Sequence, residues 1–190
     1  MKDLVVLGGP NGAGKTTAAP DLLPRTLAIY EFVNADEIAR GLSPFNPESN
    51  AVAAGRLMLE RIQLLARAGE NFAFETTCAG RGHARLLQMC RASGYRLTLL
   101  FLWLPSPELA LARVAQRVRQ GGHHVPNDIV IRRYHAGLRN LRRLYLPLVD
   151  VAIIYDNSIS PGVSIAEQRS GTPFLIHDPS RWARIEEATR

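Results

Sequence analysis

Cysteine is nearly absent from this 190-residue sequence: Cys78 and Cys90 are the only two, and they lie in no metal-like spacing. A disulfide framework and a zinc site therefore lack support, and both residues read as reduced thiols. Long apolar runs are missing too. The longest, Leu97 to Pro105, is about nine residues and reads as a buried strand, against the roughly 20 that a membrane helix requires. Residues 1 to 9 are apolar after Lys2, but a glycine-rich loop follows where a signal peptide would need a small-residue cleavage site, so a cytoplasmic protein without membrane association is expected. There is no long block of like charge, no internal repeat, no low-complexity segment and no linker, which excludes a disordered chain or polyelectrolyte tail.

What is present fits one globular domain spanning residues 1–190: the chain is 46% hydrophobic and long enough to bury one sizeable core. A net charge of +6 suits phosphate-bearing ligands or nucleic acid without choosing between them. Leu4 to Leu7 is uniformly apolar and ends in glycine, the pattern of a buried parallel strand before a helix. Apolar runs at 28–33, 71–74, 97–104 and 151–155 alternate with helical stretches, so the expected class is a three-layer α/β/α sandwich around a mainly parallel sheet. Helices are expected at about 47–68, 80–93, 107–120 (with Ser106 as N-cap) and 127–144, Gly121-Gly122 interrupting the last two. A small hairpin (163–167 and 174–176) and a short, partly exposed helix close the chain.

The strongest chemical signal is Gly9-Pro10-Asn11-Gly12-Ala13-Gly14-Lys15-Thr16, followed by Thr17, which satisfies G-x-x-x-x-G-K-[ST] between a strand and a helix. Glycines let backbone N–H groups turn inward around phosphate oxygens while the next helix aims its positive end at them. Lys15 then reaches the β and γ phosphates and the Thr16 hydroxyl ligates magnesium. A dinucleotide fold fits less well, because Thr17 stands where that fingerprint wants its third glycine. No N-K-x-D guanine motif and no paired Asp-Glu at a strand end occur, which leaves a small kinase as the leading class.

Asp36 follows the second strand and sits where open α/β sheets place ligands, so it is a candidate to orient and deprotonate an acceptor hydroxyl; its other reading is an N-cap. Glu75 ends the third strand with Thr76 and Thr77 beside it. A carboxylate there needs a partner, which points to magnesium or a substrate hydroxyl for Glu75 and to substrate contact for Thr76 and Thr77, with an arginine salt bridge as the alternative. Arg113, Arg117 and Arg119 precede the glycine break, and Arg132 and Arg133 follow it, so residues 113–133 resemble a lid that closes over the transferred group. His123 and His124 read as loop residues, since nothing is spaced to complete a metal site with them.

With these motifs the chain resembles the zeta toxin family of P-loop kinases and their standalone chromosomal relatives, from Leu4 to about Ser158. The matching segments are 8–17, Asn-Ala-Asp-Glu-Ile-Ala at 34–39, Phe-Glu-Thr-Thr at 74–77, Gly-Gly-His-His-Val-Pro at 121–126 and Tyr-Asp-Asn-Ser at 155–158. The resemblance implies a five-stranded kinase sheet and a Mg-ATP dependent kinase. The best-known acceptor in the family is the 3′-hydroxyl of UDP-N-acetylglucosamine, with Asp36 as the acid that activates it. It implies Lys15 and Thr16 on the phosphate loop, Glu75 and Thr77 on the sugar-nucleotide side, and one arginine from each side of the lid break on the phosphates, for which Arg119 and Arg132 or Arg133 are the preferred candidates. It also implies a small antitoxin partner whose helix blocks the ATP site. The chain is shorter than the toxins proper, lacks much of their extra helical material, and differs from them at 78–81. Two other classes remain alongside a small-molecule kinase: a nucleic-acid end kinase or binder, and a switch-type hydrolase without acceptor.

Overall fold

The computed structural model describes residues 2–122 and 124–189; the reading of His123 as a loop residue falls outside them. The central strand β1 (Lys2–Gly8) is buried on both sides from Leu4 to Leu7, because it pairs in parallel with β3 (Phe72–Thr76) on one flank and β4 (Tyr95–Trp103) on the other. β2 (Glu31–Val33) extends the sheet beyond β3, and β5 (Val151–Asp156) extends it beyond β4, again in parallel. The expected mainly parallel α/β arrangement, with helices on both faces, is what the chain adopts.

The sheet is larger than the five strands expected. Strands β6 (Val163–Arg169) and β7 (Leu175–Ile176) continue it in antiparallel sense, giving the order β2-β3-β1-β4-β5-β6-β7. The hairpin read from the sequence is thus part of the main sheet. Its physical role is to cover the edge of β5, whose unpaired backbone would otherwise face solvent.

The helices α1 (Lys15–Asp21), α2 (Ala35–Leu42), α3 (Ala51–Ala68), α4 (Gly82–Ala92), α5 (Pro107–Arg119), α6 (Asn127–Asn140) and α7 (Pro179–Glu187) fall close to their expected places. α3 buries Ala54, Met58, Ile62 and Leu65, one face at helical spacing. Ser106 caps α5 as expected, its hydroxyl accepting from the Leu109 N–H at 3.3 Å. α6 ends four residues early, and Leu141–Tyr145 continues as a π turn. The closing helix docks by Trp182 and Ile185, with Trp182 against the Phe174 ring at 4.8 Å between centroids. Among the described residues no helix is long and apolar enough to cross a membrane.

Register decides where chemistry can occur. Gly8 stands opposite Thr76 and Phe101, and Trp103 opposite Asp156, so the parallel strands all end at one edge. From β1 the chain crosses to β2 and β3 on one side, and from β3 it passes to β4 and β5 on the other, so the winding reverses at β1 and opens a crevice at its carboxyl end.

Candidate functional site

The glycine-rich loop leaves β1 into that crevice. Lys15 is buried and curls back so that its Nζ donates to the carbonyls of Gly9 (2.8 Å) and Pro10 (2.9 Å). Gly14 has φ 85°, and a Cβ on it would lie 2.8 Å from Asn157 Nδ2, so only glycine fits the position. A cavity of about 770 Å³ opens over the loop, lined there by Asn11, Gly12, Gly14, Lys15, Thr16 and Thr17. Gly9, Pro10 and Ala13 do not line it; they act from behind, through carbonyls that Lys15 and Asn157 hold.

Glu75, at the end of β3, joins three elements. Its Oε2 accepts from Thr16 Oγ1 at 2.8 Å and from Asn34 Nδ2 at 3.0 Å, and its Oε1 lies 3.5 Å from Lys15 Nζ. The salt-bridge alternative for Glu75 is therefore met by Lys15 and not by an arginine. Thr16 and Glu75 offer the hard oxygens that magnesium prefers when phosphate and water complete its shell, so the residues present fit that ion. Among the described residues no group of three or more His, Cys, Asp or Glu forms an all-protein metal cage.

Asn34 also caps α2, its Oδ1 accepting from the Asp36 N–H at 2.8 Å. This settles the competing reading of Asp36: the cap is Asn34, and Asp36 lies in the first helical turn. The Asp36 carboxylate lines the cavity and has no hydrogen-bond or ion-pair partner among the described residues. The nearby Arg133 guanidinium is pulled below its ordinary pKa by burial, a shift that the Asp36 charge opposes and the Arg132 charge reinforces.

Thr76 and Thr77 both line the cavity but are held differently. Thr77 lines the cavity with its carbonyl packed under Gly137 of α6, while the Thr76 hydroxyl accepts from the Cys78 N–H (3.1 Å) and meets His83 Nδ1 (3.2 Å). His83, which sequence reasoning missed, lines the same wall and stacks on Phe74 at 5.2 Å. Burial holds its pKa below the ordinary 6.5, favouring the neutral ring. Cys78 is fully buried and burial pushes its thiol up to about 12, which makes it inert; Cys90 is free and buried as well.

The arginines sort by helical geometry. Arg113 and Arg117 of α5 line the cavity with Gln116 and Gln120, as residues three or four apart share a face. Arg119, two residues beyond Arg117, is rotated by about 200° at 3.6 residues per turn and is exposed outside the lining. The preference for Arg119 as the near-side arginine thus gives way to Arg113 and Arg117. From the far side, Arg132 and Arg133 both line the cavity. Gly121, at φ 81°, ends α5 in a closed cap, with Gly121 N–H bonded to Val118 O (3.0 Å) and Gly122 N–H to Arg117 O (2.9 Å). His124 lies 3.9 Å from Glu48.

Comparison with known proteins gives four likenesses. A family model described as an AAA domain matches residues 4–141. An uncharacterized protein of Haemophilus influenzae is 29% identical over 126 residues, covering 66% of this chain and 88% of that protein. Among solved structures, a chain of the AvrRxo1-ORF1:-ORF2 complex solved with ATP matches 100% of this chain at TM-score 0.75 and 17% identity, and this chain spans 64% of its length. A chain of the PezAT chromosomal toxin–antitoxin system of Streptococcus pneumoniae matches 99% of this chain and 86% of its own, at TM-score 0.65 and 16% identity.

Two outcomes follow. Because the folded pKa of His83 is depressed, the unfolded chain binds more protons below about pH 6.5, so stability is full above that value and is lost as pH falls through the folded pKa. Between about pH 7 and pH 5.5 the urea midpoint should drop more in wild type than in His83→Phe, which keeps the stacked ring without the titration; parallel profiles would refute the assignment. If segment 113–133 closes on nucleotide, amide exchange across Gln120 to Asn127 should slow on saturation with a non-hydrolysable ATP analogue, and unchanged exchange would remove the lid.

Proposed function

This chain belongs to the AAA-domain family and has a zeta-toxin-like P-loop kinase fold, and on that premise we propose that it is a Mg-ATP dependent kinase that phosphorylates a hydroxyl of a small molecule. The observation that carries the reading is a single cavity lined both by the phosphate-loop residues Lys15 and Thr16 and by the unpartnered carboxylate of Asp36. A site that only binds nucleotide has no need of a free acid beside the phosphate loop, whereas attack on the γ-phosphorus does.

In the proposed reaction Asp36 accepts the proton of the acceptor hydroxyl as that oxygen attacks the γ-phosphorus. The new O–P bond forms while the bond from the γ-phosphorus to the β–γ bridging oxygen breaks, and ADP leaves with that electron pair. Lys15 gives up its hydrogen bonds to the two loop carbonyls and donates to phosphate oxygens instead, and Arg117, Arg132 and Arg133 stabilise charge on the transferred group. Thr16 and Glu75 would hold magnesium, which would supply neutralisation of the phosphate charge.

The acceptor wall narrows the substrate class. Thr77 and His83 offer hydrogen bonds, Ala39, Ala51 and Met58 an apolar surface, and the lining as a whole carries five cationic side chains against two carboxylates. Those features favour an acceptor that combines hydroxyls, a compact apolar part and negative charge, as a nucleotide sugar such as UDP-N-acetylglucosamine does. The PezAT likeness supports a small antitoxin protein as partner, and ATP supply favours a cytoplasmic site of action.

The decisive experiment incubates the protein with γ-labelled ATP and a panel of nucleotide sugars, nucleosides and oligonucleotides. Label should pass to a small molecule; label on oligonucleotide ends alone, or only free phosphate, would replace this reading by one of the other two. Lys15→Ala should lose activity by several orders of magnitude while staying folded, and near wild-type turnover would sink the nucleotide site. Asp36→Asn should cut transfer by roughly 10²- to 10⁴-fold with ATP affinity within a few fold. Since Asn34 and not Asp36 caps α2, that change leaves the cap intact. Retention of more than about a tenth of wild-type transfer would move the base to another group.

A further inference from the structure

The family model stops at residue 141, yet the chain beyond it reaches back to the phosphate loop. We propose that Asn157, braced from the C-terminal helix by Arg181, is a positioning residue that holds the phosphate loop in its phosphate-binding conformation; this rests on the nucleotide reading above.

Asn157 Nδ2 donates to the carbonyl of Ala13 at 2.7 Å. That carbonyl shares a planar trans peptide with the N–H of Gly14, so the two point in opposite directions. Holding the Ala13 oxygen away from the cavity therefore aims the Gly14 N–H into it, where phosphate oxygens bind. Without Asn157 the buried Ala13 carbonyl would have to find another partner, and the peptide would be free to flip.

Asn157 is itself fixed on every side. Its N–H donates to Trp103 O at the end of β4 (3.0 Å), and its own carbonyl and that of Ser158 accept from Arg113 Nη1 (2.8 Å) and Nη2 (2.9 Å). The buried Asp156 sets the start of the turn: one oxygen accepts from the Ser158 N–H (2.8 Å), the other from Arg181 Nε (2.7 Å). Arg181 is held in turn by Asp178, the cap of α7. Gly162 closes the remaining side, since a Cβ there would lie 2.9 Å from Asn157 Oδ1. The path from α7 to the loop thus runs Arg181, Asp156, Asn157, Ala13, and the same turn grips α5 through Arg113.

The test measures ATP affinity in the presence of magnesium, together with thermal unfolding midpoints, for the full chain. Asn157→Ala should raise the Kd for ATP about tenfold with its midpoint within a few degrees of wild type, the size of one lost hydrogen bond in a binding site. Asn157→Asp, which keeps the shape but cannot donate to the Ala13 carbonyl, should weaken binding at least as much. Arg181→Ala should weaken it a few fold and Arg181→Lys should restore most of the loss. Because Arg181 acts through Asn157, the double variant should bind no worse than Asn157→Ala alone. ATP binding in both Asn157 variants equal to wild type would overturn the proposal, as would strictly additive losses for the pair. Wild-type protein that binds ATP no better than Lys15→Ala would instead remove the nucleotide reading on which the proposal stands.

Discussion

Everything at the carboxyl edge of this sheet depends on the Glu75 carboxylate. It is the meeting point of β3, of the loop that leaves β1 through Thr16 and Lys15, and of the turn that follows β2 through Asn34. An unpaired carboxylate at that depth would be costly, and one held by an ammonium, a hydroxyl and an amide is not. The same three partners fix the spacing of the site: Lys15 cannot move away from Glu75 without exposing it, and Asn34 cannot move without releasing α2 and the Asp36 it carries. The two halves of the cavity are thereby placed relative to one another by one side chain.

The charge on the cavity is divided to match. The acidic groups of the lining are Glu75, bonded to the loop through Thr16 and Lys15, and Asp36 on α2, while the arginines come from α5 and α6. Arg133 shows what this arrangement costs. Its guanidinium is partly buried beside Arg132, and the Asp36 charge offsets only part of that penalty. An anion arriving between α5 and α6 relieves the repulsion, so binding energy is available for bringing the two arginine sets together.

How much of this could be read from the chain alone follows from how local each signal is. The phosphate loop was fully legible, because strand, glycines, lysine and hydroxyl are contiguous; Lys15 is also one of only two lysines, with Lys2, among the 23 basic residues. The parallel strands were legible from their apolar runs, though β2 proved shorter than its run and β6 and β7 joined the main sheet, since pairing partners are a property of the whole fold. Arg119 is nearer the glycine break in sequence, but helical phase puts Arg113 and Arg117, and not Arg119, in the cavity lining. His83 carried no motif, and only the turn at Gly80 to Gly82 brings it under the Thr76 hydroxyl. Asn157 lay in a segment that could be read as resembling a family but not as touching the loop, 144 residues distant in sequence.

A common device separates the working residues from their neighbours. At three strand ends one polar side chain satisfies nearby backbone and the residue one or two places on is left for other partners. Asn34 caps α2 and frees Asp36; Thr76 binds the Cys78 N–H and His83 and leaves Thr77; Asp156 binds the Ser158 N–H and leaves Asn157 for the Ala13 carbonyl. The reason is general: buried polar atoms near a sheet edge must be satisfied, and the cheapest partners are backbone groups one or two residues away. A group left over after that local accounting points elsewhere, toward a ligand or toward the element that binds one. By this measure Asp36 stands apart from every other carboxylate at the edge. Glu75 and Asp156 are held by two or more protein donors, whereas Asp36 faces the same cavity as Lys15 with none among the described residues. A carboxylate left unpaired in the same cavity as the phosphate-loop lysine is free to meet a ligand, and that asymmetry among three acids is what the proposed acceptor role of Asp36 rests on.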